Sequence, residues 1–96
     1  MVIKRTSLFR QQFFDIVFYI AKDKVSASQN FKSDINKLIK ELLNFPFKYR
    51  KSYYYENENI RDLIYKGYSI IYKVDLEKSE IVVLEIFNQN LPQLEG

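Results

Sequence analysis

The chain of 96 residues has no cysteine and no histidine, and only two glycines and two prolines. Without cysteine there is no disulfide, no thiol nucleophile and no thiolate metal ligand, as suits a reducing cytoplasm. Without histidine there is no side chain that ordinarily titrates near neutrality and no usual transition-metal ligand. Ser-His and Cys-His hydrolysis and zinc chemistry are therefore excluded. No apolar run approaches the roughly 20 residues that span a bilayer. Residues 1–5 also lack the apolar core of a signal peptide, so a cytoplasmic protein without membrane attachment is expected. The acids Asp15, Asp34, Asp62 and Glu85 fall on separate predicted elements, so neither a metal site nor another cofactor is expected. What is abundant is apolar surface: hydrophobic residues make up 47% of the chain, which excludes a disordered or low-complexity protein.

At this length the chain is one domain, residues 1–96, with one core. Residues 1–5 predict a first strand. Ser7 is the expected N-cap of a helix whose Phe9, Phe13, Ile16, Val17 and Ile20 share a face. Asp23-Lys24-Val25 interrupts that pattern. Ser26 and Gln29 have the spacing of a capping box, and Phe31, Ile35, Leu38, Ile39 and Leu42 continue a second apolar stripe until Asn44 and Pro46 stop it. Three strands follow, over about residues 59–65, 68–74 and 80–87, each rich in β-branched and aromatic residues. Lys66-Gly67 supplies the positive-φ turn between the first two, and residues 75–79 turn into the third. The predicted fold is α+β: an N-terminal strand, an α-helical hairpin, then a three-stranded antiparallel sheet with one face covered by the helices and the other at least partly open.

Two features go beyond core building. Lys48, Arg50 and Lys51 interleave with Tyr49, Tyr53, Tyr54 and Tyr55, and Arg61 and Lys66 follow. Such a cluster suits phosphates and bases or an acidic protein surface, and the net charge of +3 does not choose between them. The tyrosines also suit a loop folded over a sheet edge. Phe14 and Phe18 form an i, i+4 pair off the main stripe, which marks either a wider core contact or a surface covered by a partner.

Tyr19-Ile20-Ala21 closing the first helix, Phe45-Pro46 after the second, Ile60-Arg61-Asp62-Leu63, Gly67-Tyr68 and Tyr72 together resemble the RelE/ParE superfamily of type II toxin–antitoxin toxins, and the ParE branch most closely. The resemblance implies a growth-inhibiting toxin neutralised by a cognate antitoxin in a hetero-oligomer. It also implies one of two targets. RelE-like toxins cut mRNA on the ribosome with convergent cations that activate the 2′-hydroxyl and stabilise the phosphorane. Arg61, Lys66, Tyr72 and Glu85 are the candidates for that chemistry, but Leu63, Ser69 and Asn88-Gln89-Asn90 stand where further cations would be needed. ParE-like toxins instead bind DNA gyrase and need no hydrolytic centre. The expected target-binding set is Lys48, Arg50, Lys51, Arg61, Asn88 and Asn90, and the expected antitoxin contacts are Phe14 and Phe18. In the ParE pattern a histidine and basic residues often follow the last apolar residues; here Phe87 leads into Asn88-Gln89-Asn90-Leu91-Pro92. The gyrase poison is the preferred reading. The ribosome-dependent mRNA endonuclease and a catalytically inactive antitoxin-binding module are the alternatives. Arg61 is either the functional cation, removable with little loss of stability, or the partner of a local carboxylate such as Asp62.

Overall fold

The computed structural model describes residues 1–88, in the order β1 (Val2–Arg5), α1 (Ser7–Asp23), α2 (Val25–Glu41), β2 (Arg50–Lys51), β3 (Ile60–Tyr65), β4 (Tyr68–Asp75) and β5 (Glu80–Asn88). The strands join in one sheet of order β1-β5-β4-β3-β2. The α+β class is as the hydrophobic pattern predicts, but the sheet has five strands rather than three. β1 joins it parallel to β5, and the two residues of β2 pair antiparallel with β3. Parallel pairing requires a long connection: the helical hairpin carries the chain from β1 to β2 at the opposite edge, and β3 and β4 bring it back to β5. β2 carries no alternating apolar pattern, so pairing partners rather than periodicity define it.

The first helix ends at Asp23, where the sequence pattern breaks, but both helix starts differ from expectation for a local reason. Thr6, not Ser7, caps α1: its extended backbone lets Oγ1 accept from Phe9 N at 3.0 Å. The same hydroxyl donates to Leu84 O at 2.6 Å, so one residue starts the helix and closes the β5 edge. Between the helices only Lys24 is extended, with φ −153°, and no side chain caps α2. The capping box expected at Ser26 does not form, because the chain reverses two residues earlier, at Lys24, and Ser26 is already helical. Ser28 is buried and its hydroxyl donates to Val25 O at 2.6 Å, a local bond that lets a polar residue occupy an apolar interface. α2 ends at Glu41, and three shorter i to i−3 bonds carry the chain through Asn44.

The strands run close to the predicted bounds. Lys66 and Gly67, with φ of 48° and 83°, form a two-residue turn of the kind that matches strand twist. β4 and β5 shift register between Ile71 and Tyr72, whose partners are Glu85 and Val83, so Leu84 is the extra residue of a bulge. The bulge leaves ladder groups to be satisfied elsewhere. Thr6 takes Leu84 O, and Ile86 N donates to Gln12 Oε1 at 2.8 Å.

Phe9, Phe13, Phe31, Ile35 and Ile39 from the helices meet Leu63, Ile70, Tyr72, Val74, Ile81, Val83 and Ile86 from the sheet. Strand alternation turns Ile60, Asp62, Ser69, Ile71, Glu85 and Phe87 to the other face. That face is less open than expected. Ile71 and Ser69 are fully buried because the connection between β2 and β3 folds across them, with Tyr54 edge-on to Phe87 at 5.0 Å and Tyr55 bonded to Glu85. No described helix is long and apolar enough to cross a membrane.

Candidate functional site

The basic cluster read from the sequence is mostly engaged within the protein. Arg50 lies opposite Asp62 in the β2–β3 register. Its Nε sits 3.3 Å from Asp62 Oδ2, and its guanidinium covers the Tyr53 ring at 3.6 Å. Asp62 also accepts from Tyr53 N at 2.9 Å. A buried carboxylate demands such partners, and meeting that demand pins the tyrosine segment to the sheet. Asp62 Oδ1 and Ser69 Oγ are buried with no hydrogen-bond partner among the described residues. Lys51 pairs with Glu58 at 3.1 Å, an exposed pair of small energetic weight. Lys48 is exposed, with its ammonium 5.5 Å from the Tyr49 ring centre.

Arg61 is not paired with Asp62. Its Nε donates to Glu58 O at 3.0 Å, one terminal nitrogen donates to Tyr49 O at 3.1 Å, and its guanidinium lies 4.9 Å from the Phe47 ring centre. A planar fork with several donors suits this use, because it joins two backbone segments at once. The residue holds the connections on either side of β2 together.

The four endonuclease candidates are not brought together. Arg61 and Tyr72 are register partners, but Tyr72 is fully buried and its hydroxyl donates to Pro46 O at 2.6 Å. Burial pushes that phenol up to about 12, so it stays protonated. Lys66 sits in the turn at the far end of β3, and its ammonium lies over the Tyr65 ring at 5.3 Å. Five residues of strand put it roughly 15 Å from Arg61. Glu85 is on the opposite face and accepts from Tyr55 Oη at 2.5 Å. That hydrogen bond, with some burial, pushes the Tyr55 phenol up to about 12. Among the described residues, no three His, Cys, Asp or Glu cluster as metal ligands.

On the helical layer, Phe14 and Phe18 are 63% and 56% exposed. Their rings stack at 6.2 Å and 15°, with Lys22 over Phe18 at 5.3 Å. Packing against the rest of the domain therefore does not account for them. Beside them a shallow groove between the helices is rimmed by Arg5, Arg10 and Lys32. Burial, then the charge of Arg10, lowers the Arg5 pKa from its usual value. Asn88 ends β5 opposite Tyr68 and lines a second depression with Gln12, Asp15, Ile16 and Tyr19. Asn90 lies outside the described residues.

Two organising residues escaped the sequence reading. Asp62 was visible only as a possible surface partner, since burial of a strand carboxylate leaves no periodic signal. Gln12 supports the β5 bulge, which a single sequence does not announce.

The family model for the ParE toxin of type II toxin–antitoxin systems, parDE, matches residues 3–90. The chain belongs to the ParE toxin family. No curated protein matches it in sequence. Among solved structures, one from the chromosomal ParDE toxin–antitoxin system of P. aeruginosa aligns with a TM-score of 0.74 and 22% identity, covering 92% of this chain and 95% of that one. At that identity the structural likeness speaks to the fold, and the family model carries the assignment. The ParE strand and helix order thus places the Phe14–Phe18 pair on the outer helix surface and Arg61 at the seam between sheet and connection.

Proposed function

We propose that this ParE-family toxin arrests growth by binding DNA gyrase in the cytoplasm, and that its antitoxin neutralises it by covering Phe14 and Phe18 on α1. The observation that carries the reading is the dispersal of the catalytic candidates. Ribosome-dependent cleavage requires cations and a proton-transfer group around one phosphate, whereas Tyr72 is inside the core, Glu85 faces away from Arg61, and Lys66 is at the other end of β3. A binding mechanism needs none of these to converge. It needs exposed apolar surface beyond what the antitoxin covers, and the domain has such surface outside α1 as well as on it.

The test is direct. Purified protein is incubated with gyrase, supercoiled plasmid and ATP, and in parallel with ribosomes programmed with mRNA and with naked RNA and DNA. Gyrase-linked double-strand breaks, or loss of supercoiling, with intact mRNA is the expected result. Cleaved mRNA on the ribosome would establish the endonuclease instead. Inactivity in all arms, with the antitoxin still bound, would identify an inert antitoxin-binding module.

A further inference from the structure

The connection from α2 to β2 carries a second set of exposed apolar side chains, remote from α1. Leu43, Phe45 and Phe47 are 40%, 64% and 40% exposed. The exposed ring of Phe45 adds little to core stability, yet this connection is held firmly from beneath. Tyr72, itself fully buried, donates to Pro46 O at 2.6 Å. Arg61 lies over Phe47 and donates to Tyr49 O. Lys48 N returns to Phe45 O at 3.2 Å, closing the turn. The chain therefore presents Phe45 on a pre-formed support and loses little conformational entropy when that ring is buried by a partner.

The surroundings carry one dominant charge sign. Lys37, Lys40 and Glu41 share a depression with Asn44, and Lys48 borders the aromatic patch. Among the described residues, none of the three lysines has a carboxylate within ion-pair distance. Three cations and one anion thus frame an apolar projection.

We infer that the Phe45–Phe47 projection is the anchor by which the protein grips its growth-arresting target, entering an apolar pocket whose rim is acidic. This deepens the reading that toxicity works by binding. The anchor is separate from the α1 pair. Phe13 lies level with Phe31, and Arg5 with Asn36, so Phe18 stands beside the start of α2 while Phe45 stands beyond its end. At 1.5 Å per residue the two patches are roughly 20 Å apart along the hairpin. Substitutions at one patch leave the other intact.

Phe45→Ser is the decisive variant, because Phe47 supports Arg61 whereas Phe45 projects outward. The full chain is induced at graded levels with growth followed, antitoxin affinity is measured by calorimetry, and melting is followed by circular dichroism. The expected result is an unchanged melting curve, unchanged antitoxin affinity, and at least about tenfold more protein needed for the same arrest, as for a central aromatic anchor. Lys40→Glu with Lys48→Glu is expected to weaken arrest in the same direction. Arrest by Phe45→Ser at wild-type levels overturns the inference. So does a tenfold loss of antitoxin affinity, or a wild-type dimer that Phe45→Ser converts to monomer, since the patch would then belong to the antitoxin or to a second copy. If wild type arrests growth without gyrase-linked breaks, only the gyrase assignment falls and the Phe45 comparison still decides. If wild type does not arrest growth, both fall.

Discussion

Arg61→Ala separates a structural arginine from a purely functional one. In the folded protein the guanidinium donates to Glu58 O at 3.0 Å and Tyr49 O at 3.1 Å and lies 4.9 Å from the Phe47 ring. The first bond is exposed and the second half-buried, so solvent screening brings each down to about 1 kcal/mol, and the ring contact adds about 0.5 kcal/mol. The expected loss is about 2 to 3 kcal/mol. For a domain of this size that lowers the melting temperature by roughly 8 to 24 °C while leaving most of the protein folded at 25 °C. Urea titration followed by circular dichroism measures it, with the slope held constant as the check that only stability has changed. Arg61→Lys keeps the charge but loses the fork. A single ammonium cannot join both carbonyls, so about half of the loss is expected to remain. A loss below about 0.5 kcal/mol, the range of ordinary surface substitutions, would refute the reasoning and show that these contacts contribute nothing. The outcome also governs how growth assays are read. The sequence alone suggests that Arg61→Ala abolishes toxicity with stability nearly unchanged; the observed contacts instead predict that stability falls with it.

Tyr72→Phe leaves the Pro46 carbonyl without its donor and is expected to cost about 1 to 2 kcal/mol near neutrality, read from urea midpoints. Burial raises the Tyr72 pKa to about 12 in the folded chain. The protonated phenol therefore contributes stability that is full below about pH 10, the unfolded value, and is lost as pH rises through the folded value. Wild type should lose more stability than Tyr72→Phe between about pH 10 and 12, and parallel pH curves would disprove the assignment. Asp62→Ala strands Arg50 and Tyr53 N, so a loss of about 3 kcal/mol and a shorter-lived β2–β3 amide protection are expected in hydrogen exchange. Phe14→Ser with Phe18→Ser should leave melting nearly unchanged and weaken antitoxin binding by about 2 kcal/mol or more in calorimetry; unaltered affinity would place the antitoxin elsewhere.

The hydrophobic periods alone were enough to locate both helices and the three long strands, because burying one face of each element is the strongest demand on such a chain. Lys66-Gly67 fixed the central hairpin for an equally local reason, since few sequences accept two successive positive φ angles. The order of these elements, with the loose motifs at Phe45-Pro46, Arg61 and Gly67-Tyr68, was enough to suggest the family. Tertiary structure decided what each polar or aromatic side chain does. Parallel docking of β1 on β5, and the Thr6 and Gln12 bonds that serve the Leu84 bulge, depend on residues more than 70 positions apart. Phe14 and Phe13 are adjacent and identical in type, yet one is in water and the other in the core because the helix turns about 100° between them. Arg50 and Arg61 are both cations in one short stretch, but pairing with buried Asp62 claims the first and backbone carbonyls claim the second. Residue type sets what a side chain is able to do, and the neighbours delivered by folding settle which of those roles it has.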